Sequence, residues 1–257
     1  MSQPDAFDAM QLVAELAETV EALGRDMDLP YIAVSADIGS PEPMRGPDGR
    51  PFAETLFRWL DPKLKYWEDR GFALRSPLVH ATRCCAEPFY YSGGRFATWR
   101  PSQALDALNA AGGLEAFNVG AAIVAPAYLP RGVIGAVVWA SPDPAVDVRG
   151  QFEARAQTLH ATALKFMAAY NEAIAADEAT PPVRLTRREI QCLKWAAAGK
   201  TDAEIGDIVQ IALPTVRFHI TNASRKLEVN GRSQAVHKAA TLGYIGSLEA
   251  PKPQPVG

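Results

Sequence analysis

The spacing of apolar and polar positions along the first part of the chain predicts both helices and strands. Apolar residues at helical spacing predict a helix over residues 5–24, and Tyr31–Ser35 has the composition of a buried strand. Residues 39–52 are rich in Gly and Pro and predict an exposed loop. Three further elements are expected: a helix at Leu60–Arg70, a short aromatic strand at Pro88–Tyr91 and a helix at Ser102–Ala111.

Two apolar runs, Ala121–Leu129 and Val133–Ser141, are separated by Pro130-Arg131-Gly132, which is typical of a β-hairpin. Six apolar positions then mark one face of a long helix: Phe152, Ala156, Leu159, Ala163, Phe166 and Tyr170. A sheet with helices before and after it favours an α/β domain, an α/β/α sandwich with a central antiparallel sheet. We assign residues 1–175 to this domain and the polar, Pro-containing residues 176–184 to a linker.

Residues 185–245 have helical spacing throughout and predict a separate, all-α domain of four helices. The first two helices each begin with a capping box, in which a threonine and a glutamate three residues later bind each other's backbone N–H groups. The two pairs are Thr186 with Glu189 and Thr201 with Glu204, and Gly199 is expected to end the first helix. In the second helix we expect three residues to point inward, Ile205, Ile208 and Val209, before a turn at Gln210-Ile211-Ala212.

The third helix of this domain is predicted over Leu213–Lys226, with a basic and polar face opposite its apolar face. The apolar face contains Val216, Ile220, Ala223 and Leu227, and the opposite face contains Arg217, Phe218, Thr221, Asn222 and Arg225. An α-helix fits the major groove of B-DNA, and arginine can form two hydrogen bonds with guanine. This face is therefore predicted to bind DNA in a helix-turn-helix arrangement. Ala212 lacks the side-chain oxygen expected of a cap, for which Pro214 in the first turn partly compensates.

A fourth helix is predicted from about Ser233 to Leu242, with Gly243 as its end. Two interpretations stay open. The helix pairs with the same helix of a second copy, which would place two recognition helices about one turn of DNA apart. Alternatively, it only closes the core of its own domain. Residues 246–257 contain several prolines and are expected to form a disordered tail.

Charge is distributed unevenly between the two predicted domains. Residues 1–182 hold 15 Lys/Arg and 23 Asp/Glu, whereas residues 183–243 hold 10 and 5. An acidic domain joined to a basic one indicates that only the basic one contacts a polyanion. Three cysteines give no even disulfide framework and favour a reducing compartment. With no signal peptide and no apolar run of membrane-spanning length, we expect a cytoplasmic protein that does not contact a membrane.

Neither catalysis nor a metal site is predicted. His80 and Cys84 lie one helical turn apart, but no further His or Cys is near them in the sequence. Four His and three Cys do not form a nucleophile, a base and an orienting group that we can assemble. We expect no cofactor other than a small signal molecule.

The C-terminal segment resembles the DNA-binding domain of LuxR-type transcription regulators through LTRRE, AAAGKTDAEI, TVRFHI and RKLEVNGRSQAV. The resemblance implies a homodimer on double-stranded DNA with an inverted-repeat operator, with RNA polymerase as a further candidate partner. The positions that it assigns to DNA are Lys200, Thr201, Thr215, Arg217, Asn222, Arg225 and Lys226. We expect Arg217 to recognise bases and the others to contact chiefly phosphates.

The N-terminal domain is similar to the autoinducer-binding domain of quorum-sensing LuxR proteins, through YWEDRGFALRSPLVHATRCCAEPFYYS and NVGAAIVAPAYLPRGVIGAVVWAS. That family binds an acyl-homoserine lactone between sheet and helices, using a Trp, a Tyr, an Asp-Pro pair and a later aromatic residue. In this chain those places are taken by Lys63, Trp67, Ser76-Pro77 and Tyr91. The aromatic wall is kept, and the two polar anchors are replaced.

The replaced anchors change the expected ligand. The family Asp accepts a hydrogen bond from the ligand amide, a charge-assisted contact of about 1.5–3 kcal/mol. Ser76 can accept without the charge, and Lys63 cannot replace an indole in a dry pocket without a partner. We predict a signal molecule other than a common acyl-homoserine lactone; the alternative is a domain that binds no ligand and serves only dimerisation or protein interaction. The candidate lining residues, for which a plain core role is the other interpretation, are Trp67, Ser76, Tyr91, Tyr66 and Trp99.

Overall fold

The structure, a computed structural model, describes residues 6–61, 71, 75–112, 118–175 and 183–246. Most of the helix predicted at Leu60–Arg70, most of the predicted linker and nearly all of the predicted tail lie outside these residues. The chain divides into two compact units, one of Met1–Leu129 with Val133–Ala179 and one of Thr180–Gly257 with Pro130–Gly132.

The N-terminal unit contains a five-stranded sheet in the order β1-β5-β4-β2-β3, in which every neighbouring pair is antiparallel. This confirms the predicted α/β fold with a central antiparallel sheet. Its elements are α1 (Ala6–Asp26), β1 (Tyr31–Ser35), α2 (Phe52–Thr55), α3 (Pro77–Cys84), β2 (Phe89–Ser92), β3 (Arg95–Ala97), α4 (Gln103–Ala111), β4 (Ala121–Tyr128), β5 (Ile134–Ser141) and α5 (Val148–Ile174). A 3₁₀ turn, Pro130–Gly132, joins β4 to β5 along the chain.

Strand β4 shows why the sheet has a layer of helices on each side. Seven of its eight residues are buried, on both faces of the strand. Ile123 and Ala125 pack with residues of α1 and α5, whereas Ala122 and Val124 pack with residues of α3 and α4. Because successive side chains of a strand point to opposite faces, an apolar residue at every position requires cover on both sides.

The centre of the first layer is Trp139 of β5, which is fully buried. Its indole N–H donates a hydrogen bond of 2.9 Å to the backbone oxygen of Val20 in α1. Gly24 permits this close approach, because a Cβ there would lie 2.9 Å from both the Leu29 oxygen and Trp139 Cδ1. The hydrogen bond fixes the position of α1 on the sheet.

The C-terminal unit consists, in its described residues, of four helices: α6 (Arg187–Ala197), α7 (Asp202–Val209), α8 (Leu213–Lys226) and α9 (Arg232–Thr241). Both predicted capping boxes are present, at the beginning of α6 and of α7. Gly199, with φ of +79°, follows α6, and Gln210 ends α7 in the left-handed conformation.

One predicted inward residue of α7 is wrong. Ile205 and Val209 are buried as expected, but Ile208 is 43% exposed. At 100° per residue the buried arc is centred between Ile205 and Gly206, and Ile208 lies about 110° from that centre. Since Gly206 is also buried, the packed face is turned towards it and away from Ile208.

Helices α8 and α9 both contribute to the core of this unit. The apolar face predicted for α8 is buried at all four positions, Val216, Ile220, Ala223 and Leu227. Ala235 and Ala239 of α9 are buried in the same cluster as Ala223 and Leu227, while Ala240 is exposed. The fourth helix thus closes the core of its own unit, which is one of the two interpretations left open by the sequence.

Within the described residues, no helix combines the length and the apolar character needed to cross a membrane. The same residues contain no group of three or more His, Cys, Asp or Glu side chains placed to hold a metal ion.

Candidate DNA-binding surface and ligand cavity

Helix α8 presents its polar face outward, as the sequence predicts. Arg217 has a side chain that is 67% exposed, and Thr215, Thr221 and Arg225 are also exposed. Asn222 is half-buried and accepts a hydrogen bond of 3.4 Å from Nη2 of Arg225. The structure therefore brings four of the seven predicted DNA-binding residues, Thr215, Arg217, Asn222 and Arg225, to the outward face of one helix, where cations and neutral polar groups alternate.

The other two predicted residues on this surface, Lys200 and Thr201, lie at the beginning of α7. Lys200 Nζ donates to Glu204 Oε1 at 3.1 Å, and the Thr201 hydroxyl and N–H donate to Glu204 Oε2 at 2.9 and 2.8 Å. Donation from the Thr201 backbone, then from its hydroxyl and from Lys200, lowers the pKa of Glu204 to about 2. The glutamate therefore stays ionised and holds both predicted residues in place.

Lys226, the last residue of α8, points to the interior of the unit. Its Nζ donates to Glu189 Oε2 at 2.8 Å, and the Thr186 backbone N–H donates to the same oxygen at 2.7 Å. Burial of Glu189 acts to raise its pKa, but the hydrogen bonds from Lys226 and Thr186 outweigh burial and hold the pKa below its usual value. The charge of Lys226 is thus compensated within the protein.

Two residues near Arg217 have no counterpart among the sequence predictions. Asp202, the first residue of α7, accepts a hydrogen bond from Arg232 at the beginning of α9 and lies 3.6 Å from Nε of Arg217. Arg232 also donates to the backbone oxygen of Lys200. The sequence contained no signal for this cluster, because its members lie up to 32 residues apart.

The N-terminal unit contains a mostly apolar cavity of about 70 Å³ between the sheet and α3. Its described lining consists of Ala33, Val34, Ser35, Ile38, Trp59, Ser76, Leu78, Val79, Thr82, Ala136 and Val138. Ser76 caps α3 and is buried, and its Oγ has no hydrogen-bond partner among the described residues. Thr82 Oγ1, by contrast, donates to the Leu78 oxygen at 2.8 Å. Ser76 therefore places one unsatisfied hydroxyl in an apolar cavity.

Of the five predicted ligand-lining residues, only Ser76 is among the described residues of this cavity. Tyr91 packs in the same layer, with its ring 5.4 Å from that of Phe96, but outside the cavity. Trp99 is 51% exposed, and its ring lies 5.8 Å from Phe152 of α5. Tyr66 and Trp67, like Lys63, lie outside the described residues.

The sequence reasoning missed Trp59 and Ser35 of the cavity wall. The strand predicted at Tyr31–Ser35 was a usable signal for Ser35, since the two-residue period of a strand places Ala33 and Ser35 on one face. Trp59 had no such signal, because it lies in the irregular segment after α2. Only the folded structure shows that it lines the cavity.

Two protein-family models match the chain. "Autoinducer binding domain" matches residues 13–170, and "Bacterial regulatory proteins, luxR family" matches residues 183–239. The chain belongs to the LuxR family. Both halves of the predicted resemblance are thereby confirmed, and the first model alone spans more than half of the 257 residues.

Similar proteins of known name are also LuxR-type regulators. The transcriptional activator protein PhzR of Pseudomonas fluorescens is 30% identical over 191 residues, which cover 71% of each chain. The transcriptional activator protein VanR of Vibrio anguillarum is 48% identical over 68 residues, 26% of this chain and 28% of VanR. The quorum sensing-dependent regulator RpaR of Rhodopseudomonas palustris is 53% identical over 62 residues, 24% of this chain and 26% of RpaR. These relatives are transcriptional regulators, and the prediction that the chain is not an enzyme is confirmed at the level of the family.

Among solved structures, the chain is similar to SdiA in complex with octanoyl-rac-glycerol, with a TM-score of 0.48 and 20% identity. That alignment covers 96% of this chain and all of the SdiA chain. A crystal structure of Escherichia coli SdiA gives the same TM-score and identity over 91% of this chain and 92% of that chain.

Proposed function

We propose that this LuxR-family protein is a dimeric, cytoplasmic DNA-binding regulator whose N-terminal domain binds a small signal molecule other than a common acyl-homoserine lactone. The observation on which the DNA-binding part rests is the exposed polar face of α8, to which Arg217 belongs. The signal-binding part rests on the hydroxyl of Ser76, which is buried in an apolar cavity and has no hydrogen-bond partner in the part of the chain that the structure describes.

DNA binding by α8 follows from its exposure and charge. Arg217 and Arg225 are exposed on one face, with Thr221 between them and Thr215 before Arg217 as exposed neutral hydrogen-bonding groups. Such a face can enter the major groove, where Arg217 would recognise guanine and its neighbours, with Lys200 and Thr201, would contact phosphates. We do not count Lys226 among the phosphate contacts, because its ammonium group is paired with the buried carboxylate of Glu189, whereas Lys200 is paired with the exposed carboxylate of Glu204.

A selected DNA sequence tests the role of Arg217. A preferred DNA sequence is first selected by binding a randomised library of duplexes to the full-length protein. A scrambled duplex of equal length then serves as the reference for non-specific binding. Arg217→Ala is expected to reduce the affinity ratio between the two duplexes about 10-fold or more, because a bidentate arginine–guanine contact gives about 1–3 kcal/mol of discrimination. A ratio equal to that of the wild type would remove Arg217 from base recognition.

Salt dependence tests the phosphate contacts separately. Each phosphate neutralised by a cation releases counterions, so the logarithm of the affinity should fall linearly with the logarithm of the salt concentration. Arg225→Ala should reduce this slope by about 1 and leave the ratio between preferred and scrambled DNA unchanged. A slope near zero for the wild type would contradict binding driven by phosphates.

The signal-binding part follows from the chemistry of the cavity. A buried hydroxyl without a partner costs about 1–3 kcal/mol, which a polar group of a bound ligand would recover. Since the described wall is otherwise almost entirely apolar, the ligand that fits is neutral, compact and mostly hydrocarbon, with one group that hydrogen bonds to Ser76. Position 76 carries a hydroxyl, whereas the family pattern has a carboxylate there that accepts a hydrogen bond from the ligand amide.

Thermal unfolding of the full-length protein with a panel of ligands tests this proposal. We expect neutral, compact alcohols, ketones or esters to raise the unfolding temperature and acyl-homoserine lactones to leave it unchanged. Ser76→Ala should abolish the ligand effect and raise the stability of the free protein, because an unsatisfied hydroxyl is removed. Ser76→Asp restores the family carboxylate and should shift the preference towards acyl-homoserine lactones. Stabilisation of the wild type by a common acyl-homoserine lactone would refute the proposal.

A second candidate function, a ligand-independent regulator, is supported by the size of the cavity. Its volume of about 70 Å³ is less than half of the roughly 150 Å³ of an engineered apolar cavity that binds benzene. In this alternative the N-terminal domain serves dimerisation or protein interaction only. Full affinity for the selected DNA without any additive, together with no stabilisation by any member of the panel, would favour this alternative.

Dimer formation is supported by apolar residues left exposed on the long helix of the N-terminal unit. Leu164 and Ile174 of α5 are exposed, as is Leu12 of α1. A two-fold dimer would place two α8 helices on an inverted repeat. Sedimentation of the full-length protein should give twice the chain mass of 27.7 kDa, and Leu164→Glu should shift it towards the monomer. A monomer that binds the selected DNA with full affinity would contradict the dimer.

A further inference from the structure

A carboxylate stands beside the proposed base-recognition residue, on a surface that the rest of the domain makes basic. Asp202 Oδ2 lies 3.6 Å from Nε of Arg217, an ion-pair distance longer than a hydrogen bond. Acidic groups on a DNA-facing surface weaken binding to phosphates, so an aspartate at this place needs another physical role.

The carboxylate of Asp202 is held in place rather than free to move with solvent. Its Oδ1 accepts a hydrogen bond from Nη1 of Arg232, whose Nη2 donates to the backbone oxygen of Lys200. The side chain of Arg232 is 32% exposed and that of Asp202 is 26% exposed, so the pair is partly shielded from water. Arg232 thereby joins the beginning of α9 to the beginning of α7 and fixes one carboxylate oxygen, which leaves the other for Arg217.

Asp202 contacts Arg217 through Nε, which leaves the other N–H donors of the Arg217 guanidinium group available for DNA. Among the described residues, neither Nη1 nor Nη2 of Arg217 has a hydrogen-bond partner. An arginine whose Nε is held from behind can offer its two terminal amino groups together, which is the arrangement for bidentate donation to O6 and N7 of guanine. A phosphate, in contrast, can be approached by any edge of the guanidinium group.

We propose that Asp202 is a positioning residue for base recognition: held by Arg232, it orients Arg217 through Nε towards guanine and at the same time lowers the affinity of this surface for DNA of arbitrary sequence. The inference rests on the proposed role of Arg217 in base recognition. It makes Asp202 a determinant of specificity that acts through Arg217 without touching DNA.

Asp202→Asn tests the proposal, with Asp207→Asn as the matched control. Asp207 is an exposed residue of the same helix, and its replacement removes the same charge without changing the Arg217 contact. Both variants should bind scrambled DNA about 2- to 5-fold more tightly, because a negative charge is lost. Only Asp202→Asn should also reduce the ratio between preferred and scrambled DNA, by about 3- to 10-fold. Asp202→Glu, which restores the charge, should recover part of that ratio.

A double variant separates this inference from the function on which it rests. In Arg217→Ala protein, Asp202→Asn should cause no further loss of the ratio, since the residue that it positions is absent. If Arg217→Ala reduces the ratio and Asp202→Asn does not, the inference is wrong and the role of Arg217 stands. If Asp202→Asn reduces the ratio equally with and without Arg217, Asp202 acts on the fold, and the inference is again overturned. If Arg217→Ala has no effect, the proposed function itself fails.

Discussion

Replacement of Lys226 by methionine tests whether an interior ion pair stabilises the DNA-binding unit. The Glu189 side chain is 4% exposed and that of Lys226 is 33% exposed. Removing one partner of a buried pair costs about 3–5 kcal/mol, because the remaining charge stays buried. Lys226 is partly open to water and the Thr186 N–H continues to bind Glu189, so we expect a smaller loss of about 2–3 kcal/mol for Lys226→Met.

The matching change at Glu189 completes a double-mutant cycle. Glu189→Gln keeps an acceptor for the Thr186 N–H but leaves the Lys226 ammonium without its counter-charge, for which we expect about 1–2 kcal/mol. The double variant has no buried charge left and should lose only about 1 kcal/mol. The two single changes are therefore expected to be non-additive, with a coupling of about 2–4 kcal/mol.

Hydrogen exchange measured by mass spectrometry on the full-length protein gives the opening free energy of this unit separately from the N-terminal unit. Peptides from residues 187–227 report on α6 to α8.

The pH dependence of this opening free energy gives a second measurement. Because the folded pKa of Glu189 lies below its usual value of 4.5, its contribution is present above that value and is lost as the pH falls through the folded pKa. Lys226→Met should weaken this acid dependence.

If each single variant loses less than about 0.5 kcal/mol of opening free energy and the two losses add in the double variant, the pair contributes nothing to stability. The salt dependence of DNA binding supplies the functional control. If Lys226 only supports the fold, Lys226→Met should leave the slope of affinity against salt unchanged. A slope reduced by about 1 would instead return Lys226 to the phosphate contacts.

Three other predictions concern packing and capping. Trp139→Phe removes the donor to a backbone carbonyl of α1 and should cost the N-terminal unit about 1–3 kcal/mol by denaturant unfolding; an unchanged midpoint would contradict it. Gly120→Ala would place Cβ 2.4 Å from the backbone oxygen of Pro142 and should cost more than about 2 kcal/mol, whereas Gly246→Ala, with open space around it, serves as the neutral control. The Glu204 carboxyl should titrate by NMR near pH 2, so that its capping contribution is present above 4.5 and is lost only as the pH falls towards 2; titration near 4.5 would show that the capping box does not form in solution.

Features that depend on neighbouring residues were predictable from the sequence. The hairpin around Pro130–Gly132 and both capping boxes involve residues a few positions apart, and their chemistry is local. Strand β3 was missed because three residues give no usable alternation. Ile208 was placed wrongly because helical spacing leaves the centre of the packed arc uncertain in a helix of eight residues.

The sites were less predictable than the fold, because their residues meet across the chain. Ser76 was found through its position in a family pattern, while Trp59 reaches the same cavity from a different part of the unit. The ion pair of Lys226 with Glu189 spans 37 residues, and the contact of Arg232 with Asp202 spans 30. No periodicity or spacing rule connects residues at such distances.

By itself, the sequence determined the family, the order of most of the elements and the polar face of the recognition helix, since these follow from local spacing and charge. Only the tertiary structure decided which of the basic residues keep their charge available. It turned Lys226 inward to Glu189 and placed a fixed aspartate behind Arg217. The physical reason is that an electrostatic interaction depends on distance in space, whereas the sequence gives only distance along the chain.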